Sequence, residues 1–314
     1  MVKNRNYINE IEENFIRWRA FLILVFAISV FSVFTLTGCS TLKSSLVGSE
    51  KDGYAPFFFI QMADPQFGFE SALAKKEDGG FETETRLFEK AISLSNQLNP
   101  AFVVVCGDIV NTSGNMEQTG EAKRIAGKLD PDIPLYWVAG NHEVWNNPNP
   151  ESLKWYRDNF GPDWYSFTKN GRTFIVLNSC LFYDPGRAPG EAEKQEIWLR
   201  KTLEESHRPV VFMHHPLCLT GVDEEDGYFQ IPRKVRLPLI KLFQEHGVEA
   251  VFGGHYHRNA YVKAGDLEMV TTGPVGVPLG DDPSGFRIVK IFESGLEHQY
   301  YGFENVPEKV VLEK

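Results

Sequence analysis

Five short apolar runs in this chain each lead to a polar, metal-capable residue just past their C-terminal end, and this recurrence constrains the fold most. Phe57-Phe58-Phe59-Ile60 leads to Asp64, Phe102-Val103-Val104-Val105 to Asp108, and Pro134-Leu135-Tyr136-Trp137-Val138 to Asn141. Pro209-Val210-Val211-Phe212 leads to His214, and Val248-Glu249-Ala250-Val251-Phe252 to His255. Runs this short and apolar read as buried strands, while amphipathic stretches at 82–96, 117–129, 151–160, 192–205 and 233–246 read as helices. The alternation is that of an α/β domain. Because sites in open α/β sheets gather outside the carboxyl ends of strands, these residues are expected to converge on one edge. Residues 260–304 read mostly as strands and turns, and no repeat of 20–50 residues is visible.

The chain has 314 residues, 42% hydrophobic and 13% aromatic, enough to bury a substantial core. Its net charge is −10, and the four Lys/Arg and three Asp/Glu of residues 1–38 leave the remainder slightly more negative. That balance argues against nonspecific binding to nucleic-acid phosphates. The N-terminus runs from a mixed-charge segment ending Arg17-Trp18-Arg19, through an uncharged apolar stretch at 20–36, to Leu36-Thr37-Gly38-Cys39. This order matches an export signal. Leu-Thr-Gly-Cys resembles a bacterial lipobox, which implies lipidation of Cys39 and removal of residues 1–38. An uncleaved anchor is the alternative, since about 17 apolar residues just span a bilayer. Both readings put a membrane-attached domain in the cell envelope, facing the periplasm or exterior. Residues 39–53, rich in Ser, Gly and Lys, read as a tether, 54–305 as the globular domain and 306–314 as a C-terminal tail. Besides Cys39 there are Cys106, Cys180 and Cys218, an odd number without metal-type spacing, so no disulfide framework is expected, although one Cys180–Cys218 bridge stays open. Cys106, ending an apolar run, reads as a buried small residue.

Singly, the motifs are weak, since an aspartate after a strand is often a turn residue. Their order is informative. Asp64-Pro65-Gln66, Gly107-Asp108, Gly140-Asn141-His142-Glu143, His214-His215-Pro216 and Gly254-His255-Tyr256-His257 each follow a strand, and they hold five of the eight histidines. Phosphate esters resist attack because their anionic oxygens repel nucleophiles, and a pair of metals about 3.5–4 Å apart neutralises that charge and generates hydroxide. Such a pair needs a bridge. A carboxylate such as Asp108 can offer one oxygen to each ion, while imidazoles and an amide oxygen complete the shells without excess charge. His255 and His257 lie two apart, so an extended segment would put both on one face, each able to serve a different ion.

These residues resemble the calcineurin-like metallophosphoesterases, with similarity from about Pro56 to Asn305. Three segments resemble in particular the group called calcineurin-like phosphoesterase domain-containing protein 1: Ala63-Asp64-Pro65-Gln66-Phe67-Gly68, the acidic Val222-Asp223-Glu224-Glu225-Asp226, and the run from Gly254 to Ala260. The resemblance implies an αββα fold, a four-layer sandwich of two mixed β-sheets flanked by helices, with a dinuclear site at strand C-terminal ends. It implies Asp64, Gln66, Asp108 and His257 around one ion and Asp108, Asn141, His214 and His255 around the other, with Asp108 as bridge. The family's ligand stands two residues before the proline, which selects His214 and leaves the role of His215 open. His142, beside a ligating asparagine, becomes the candidate general acid, with Glu143 either orienting it or sitting on an exposed loop. Most of the superfamily has histidine where this chain has Gln66. A neutral amide oxygen is a harder ligand, which shifts the expected ions towards Mg, Mn or Fe and away from Zn.

Phe67, Trp145, Tyr228, Tyr256 and Arg258 lie within sequence reach of these ligands as candidates for lining a substrate cleft, or as ordinary packing and surface residues. The acidic stretch at 223–226 reads either as a contact for substrate or as a solvated loop. The expected function is hydrolysis of a phosphate ester by a metal-bound hydroxide. A phosphomonoesterase resembling a protein Ser/Thr phosphatase leads, a phosphodiesterase acting on nucleotides or phospholipid head groups is the alternative, and a non-catalytic envelope binding protein is the alternative of another class.

Overall fold

The computed structural model describes residues 55–76 and 80–313. The export signal, the lipobox with Cys39 and the tether at 39–53 lie outside the described residues.

Eleven strands form two sheets in the described chain. The first contains β1 (Phe57–Met62), β2 (Val103–Cys106), β3 (Leu135–Val138), β10 (Gly285–Phe292) and β11 (Gly295–Gly302), in the order β11-β10-β1-β2-β3. Within it β1, β2 and β3 run parallel while β10 is antiparallel to both neighbours, so the sheet is mixed. The second holds β4 (Tyr165–Lys169), β5 (Arg172–Val176), β6 (Val210–Phe212), β7 (Ala250–Gly253), β8 (Ala260–Ala264) and β9 (Leu267–Thr271), in the order β4-β5-β6-β7-β9-β8. Here β5, β6, β7 and β9 are parallel and the two edge strands antiparallel. The five helices expected from the sequence form, with ends moved by a few residues: α2 (Glu82–Leu98), α3 (Met116–Ala126), α5 (Pro150–Phe160), α7 (Pro189–Glu204) and α8 (Arg233–Glu245). Three short ones, α1 (Phe69–Leu73), α4 (Asn141–Val144) and α6 (Cys180–Tyr183), carry too few residues for a periodic signal and were not expected. The β4–β5 hairpin was also missed, because the outer strand is half-exposed and polar.

Alternation along β1 shows how four layers arise. Phe57 and Phe59 point into a core between the sheets, where Phe59 stacks on Phe102 at 4.6 Å and meets Phe174, Phe212 and Phe252 edge-on. Phe58, Ile60 and Met62 point the other way, into a second core with Phe88 and Ile92 of α2 and Ala122 and Ile125 of α3. A strand covered on both faces reads as a near-continuous apolar run, and the one polar residue of β1, Gln61, is buried and donates across to the Gly253 carbonyl of the other sheet. A third core lies outside the second sheet, with Leu199 and Leu203 of α7 and Leu239, Ile240 and Phe243 of α8. Helix, sheet, sheet, helix is the expected sandwich.

The tail has neither helix nor strand, yet Val306, Val310 and Leu312 pack against the helix-side core of the first sheet. It is thus part of the domain surface rather than a free extension. Cys106, Cys180 and Cys218 are buried and free, which disposes of the Cys180–Cys218 bridge.

Candidate metal centre

The ligand-type residues come together, but on an end shared by two sheets rather than on the edge of one. Asp64, Gln66, Asp108 and Asn141 follow β1, β2 and β3 of the first sheet, and His214, His255 and His257 follow β6 and β7 of the second. The single-edge expectation fails because five parallel runs are divided between two sheets packed face to face.

His214 is the focus. Its Nε2 lies 3.0 Å from Asn141 Oδ1, 3.1 Å from His255 Nδ1 and 3.1 Å from Asp108 Oδ2. Its other nitrogen lies 2.9 Å from the Cys106 carbonyl, which can only accept, so Nδ1 carries a proton and Nε2 is left to take either a second proton or a cation. Several lone pairs thus face one another in a buried space, an arrangement that a cation resolves. His257 is prepared likewise: its Nδ1 donates to the Val277 carbonyl at 2.7 Å, leaving Nε2 free, 3.6 Å from Asp64 Oδ1. Gln66 Nε2 donates to Asn111 Oδ1 at 3.2 Å, while the buried Gln66 Oε1 has no hydrogen-bond partner among the described residues. An orphaned acceptor beside a carboxylate is costly unless an ion completes it. The donor set, carboxylate and amide oxygens with imidazole nitrogens, fits divalent cations. Asp108, His214 and His255 form the tight group, with their ligand atoms within 4.8 Å of one another.

The backbone is bent to make this approach. Asp64, Gln66, Asp108, His255 and His257 all have positive φ, from 39° to 67°. Left-handed non-glycine residues cost of order 1 kcal/mol each, and such strain clusters at functional sites. His255 and His257 are therefore not on one face of an extended segment. The two left-handed turns, rather than a two-residue alternation, bring both rings to the centre. Close approach also dictates two glycines: a Cβ on Gly140 would sit 2.1 Å from Asp108 N, and one on Gly254 2.5 Å from Asp64 Oδ2. The His255 amide donates to both oxygens of Asp64, at 3.1 and 3.0 Å, tying one sheet's loop to the other's.

Electrostatics separates the two aspartates. Burial works against the charge on Asp108, but the facing imidazoles of His214 and His142 more than offset it and hold the carboxyl well below the usual range. For Asp64 burial wins, with Asp108 adding to it, and the carboxyl is held well above its ordinary value. Burial lowers His257 to about 4 and also lowers His255, keeping both rings neutral, as ligands must be. His214 is also penalised by burial, yet Asp108 outweighs this and lifts it to about 9.

Other expected residues divide clearly. The His142 amide donates to Asp108 Oδ1 at 2.9 Å and its ring Nδ1 lies 2.6 Å from the Asn111 carbonyl. Glu143 neither orients His142 nor sits on an exposed loop. It is fully buried, and its carboxylate accepts the amides of Ile109, Val110 and Gly140, pinning the Asp108 loop to the Asn141 loop. His215 is no ligand: its nitrogens are engaged by Ser179 Oγ and Asn146 Oδ1, both at 2.9 Å, and its ring stacks on Tyr183. Of the lining candidates, Phe67 is a correction. It is fully buried against Phe81 and Phe88 in the helix-side core, because the chain turns inward after Gln66. Tyr228 is exposed with its ring 5.2 Å from that of His255, Arg258 lies over Tyr256, and Trp145 is exposed beneath Arg187. The acidic stretch folds back on α8: Asp223 pairs with Arg233, and Asp226 with the buried Arg236. Phe69, whose ring lies 4.8 Å from that of His257, and Asn111 were not expected. Asn111 follows an apolar turn with no motif around it, and much of its work is done by a backbone carbonyl, which a side-chain pattern does not reveal.

The model of the family described as calcineurin-like phosphoesterase matches residues 59–259, a span containing all seven ligand-type residues. This chain is a calcineurin-like phosphoesterase. Among relatives of this phosphoesterase, the Bos taurus protein named serine/threonine-protein phosphatase CPPED1 is 39% identical over 284 residues, 86% of this chain and 91% of that protein. The Homo sapiens protein of the same name is 36% identical over 285 residues, again 86% and 91%. The fold recurs in a dimetal phosphatase from Danio rerio, at TM-score 0.55 and 17% identity, over 79% of this chain and 96% of that one. It recurs also in a purple acid phosphatase from yellow lupin, at TM-score 0.61 and 16% identity, over 80% and 52%. The calcineurin-like phosphoesterase is thus a hydrolase acting on phosphate esters, with a site suited to divalent metal.

Proposed function

We propose that this phosphoesterase is a dinuclear phosphomonoesterase acting on phosphoserine or phosphothreonine. The observation that carries it is Asp108, a buried carboxylate kept ionised between His214 on one oxygen and the His142 amide on the other. Relatives at 36–39% identity named as serine/threonine-protein phosphatases support the substrate class. In this reading Asp64, Gln66, Asp108 and His257 hold one ion and Asp108, Asn141, His214 and His255 the other, with Mn, Fe or Mg favoured over Zn by Gln66. Bound there, two divalent ions supply charge neutralisation at the phosphoryl oxygens and an activated water.

The remaining steps belong to side chains. With Nδ1–H committed to the Asn111 carbonyl, His142 has Nε2 as the position from which a proton can pass to the leaving oxygen. Its amide on Asp108 ties the His142 backbone to the carboxylate, and Glu143, accepting the amides of Ile109, Val110 and Gly140, joins the two loops to one another. Hydrolysis of p-nitrophenyl phosphate and a phosphoserine peptide with added Mn, against bis-p-nitrophenyl phosphate, tests the reading. Preference for the diester overturns it.

The proposal extends to an envelope location with a lipid anchor at Cys39, supported by Leu36-Thr37-Gly38-Cys39. Incorporation of labelled fatty acid, lost in Cys39→Ala, is the expected result, and an unlabelled soluble protein refutes the anchor.

A further inference from the structure

A groove of about 820 Å³ opens between α7 and α8, and a second hollow of about 220 Å³ continues it, sharing Phe182, Glu196, Lys234 and Val235. Its floor is apolar, with Leu181, Phe182 and Val235 in the first part and Leu239 and Leu242 in the second. Its larger part is walled by four acidic residues, Asp184, Glu193, Glu196 and Asp226, against a single cation, Lys234. Asp226 is paired with Arg236 and Glu196 with Arg200, whereas Asp184 and Glu193 enter no ion pair among the described residues. The surplus is negative, so the complementary occupant is cationic with some apolar surface.

The groove starts beside the metal centre. Tyr183 at its inner end stacks on His215 with ring centroids 4.7 Å apart, and His215 is 4.5 Å from the ring of His255. At about 3.3 Å per extended residue, a chain whose phosphate sits among the ligands reaches Tyr183 within about three residues. We propose that this groove binds the polypeptide flanking a phosphorylated residue, taking Lys or Arg side chains at Asp184 and Glu193 and an apolar side chain on its floor. The proposal rests on the phosphomonoesterase reading only for what happens at the metal centre, because the groove's charge and shape are independent of it.

The test pairs binding with turnover on the purified protein. Fluorescein-labelled peptides with Lys and Arg three to six residues from a serine, and the same peptides with Glu there, are titrated by anisotropy. Their phosphoserine forms and p-nitrophenyl phosphate are assayed for kcat/KM with Mn. The basic peptide is expected to bind about tenfold more tightly than the acidic one, a preference that shrinks with salt. Asp184→Lys combined with Glu193→Lys is expected to remove that preference while p-nitrophenyl phosphate turnover is retained. Should the double variant fold poorly, Glu193→Gln, equal in size, is expected to weaken the preference alone. Equal binding of both peptides, or a preference that persists in the variants, overturns the groove. Inertness towards p-nitrophenyl phosphate with the binding preference intact overturns the catalytic reading and leaves the groove standing.

Discussion

The two sheets bring different chemistry to the same end of the sandwich. The five-stranded sheet supplies oxygen, from Asp64, Gln66, Asp108 and Asn141, and the six-stranded sheet supplies nitrogen, from His214, His255 and His257. Within the oxygen half the two carboxyls are pushed apart, Asp64 well above its usual range by burial and Asp108, despite burial, well below it by facing imidazoles. The nitrogen half is preset by tautomer, with backbone carbonyls of Cys106 and Val277 facing the Nδ1 atoms of His214 and His257. Neither half is a site alone. Their meeting depends on the phenylalanine core between the sheets, so binding and folding are coupled through contacts that touch no ligand.

The sharpest way to break the comparison is Asp108→Asn, which keeps the shape and removes the Asp108 charge from the oxygen half. Activity on p-nitrophenyl phosphate is expected to fall by about a thousandfold or more, and bound metal to drop in elemental analysis. Full metal content with full activity would mean that the nitrogen half suffices. Next in size is Phe59→Ala, which cuts the bond between the halves without touching either. Truncating a buried phenylalanine costs about 3–5 kcal/mol, read as a lower midpoint in denaturant, and metal affinity should weaken with it. Removing metal with chelator comes third. The apo protein is expected to melt lower and to recover with added Mn, by about 2.7 kcal/mol at a hundredfold excess over the dissociation constant. An unchanged midpoint would separate the ligands from folding. The smallest effect is expected from Gln66→His, which plants a nitrogen in the oxygen half. Activity should stay within about tenfold, while calorimetry shows zinc gaining on manganese.

Much of the site was legible because strand ends and ligand motifs coincide. Asp64, Asp108, Asn141, His214 and His255 each end an apolar run, and chemistry requires oxygen and nitrogen donors in such combinations. Phe67 misled because adjacency to Gln66 says nothing of direction, and a left-handed turn sends its ring into the core. Glu143 and His215 looked like chemistry and proved to be supports, since their partners, the amides of residues 109, 110 and 140, Ser179 and Asn146, come from other loops.

From the sequence alone follow the alternation of strands and helices, the five principal helices and the donor-type residues at strand ends, because hydrophobic period and residue type are local properties of the chain, whereas the four layers came from the family resemblance. The tertiary structure decided which strands enter which sheet, that donors segregate by element and that burial moves the Asp64 carboxyl up while facing imidazoles, against burial, move that of Asp108 down. Those outcomes depend on which groups face each other across the sandwich, on burial and on the proximity of imidazoles from distant strands, and such distances exist only once the two sheets have packed.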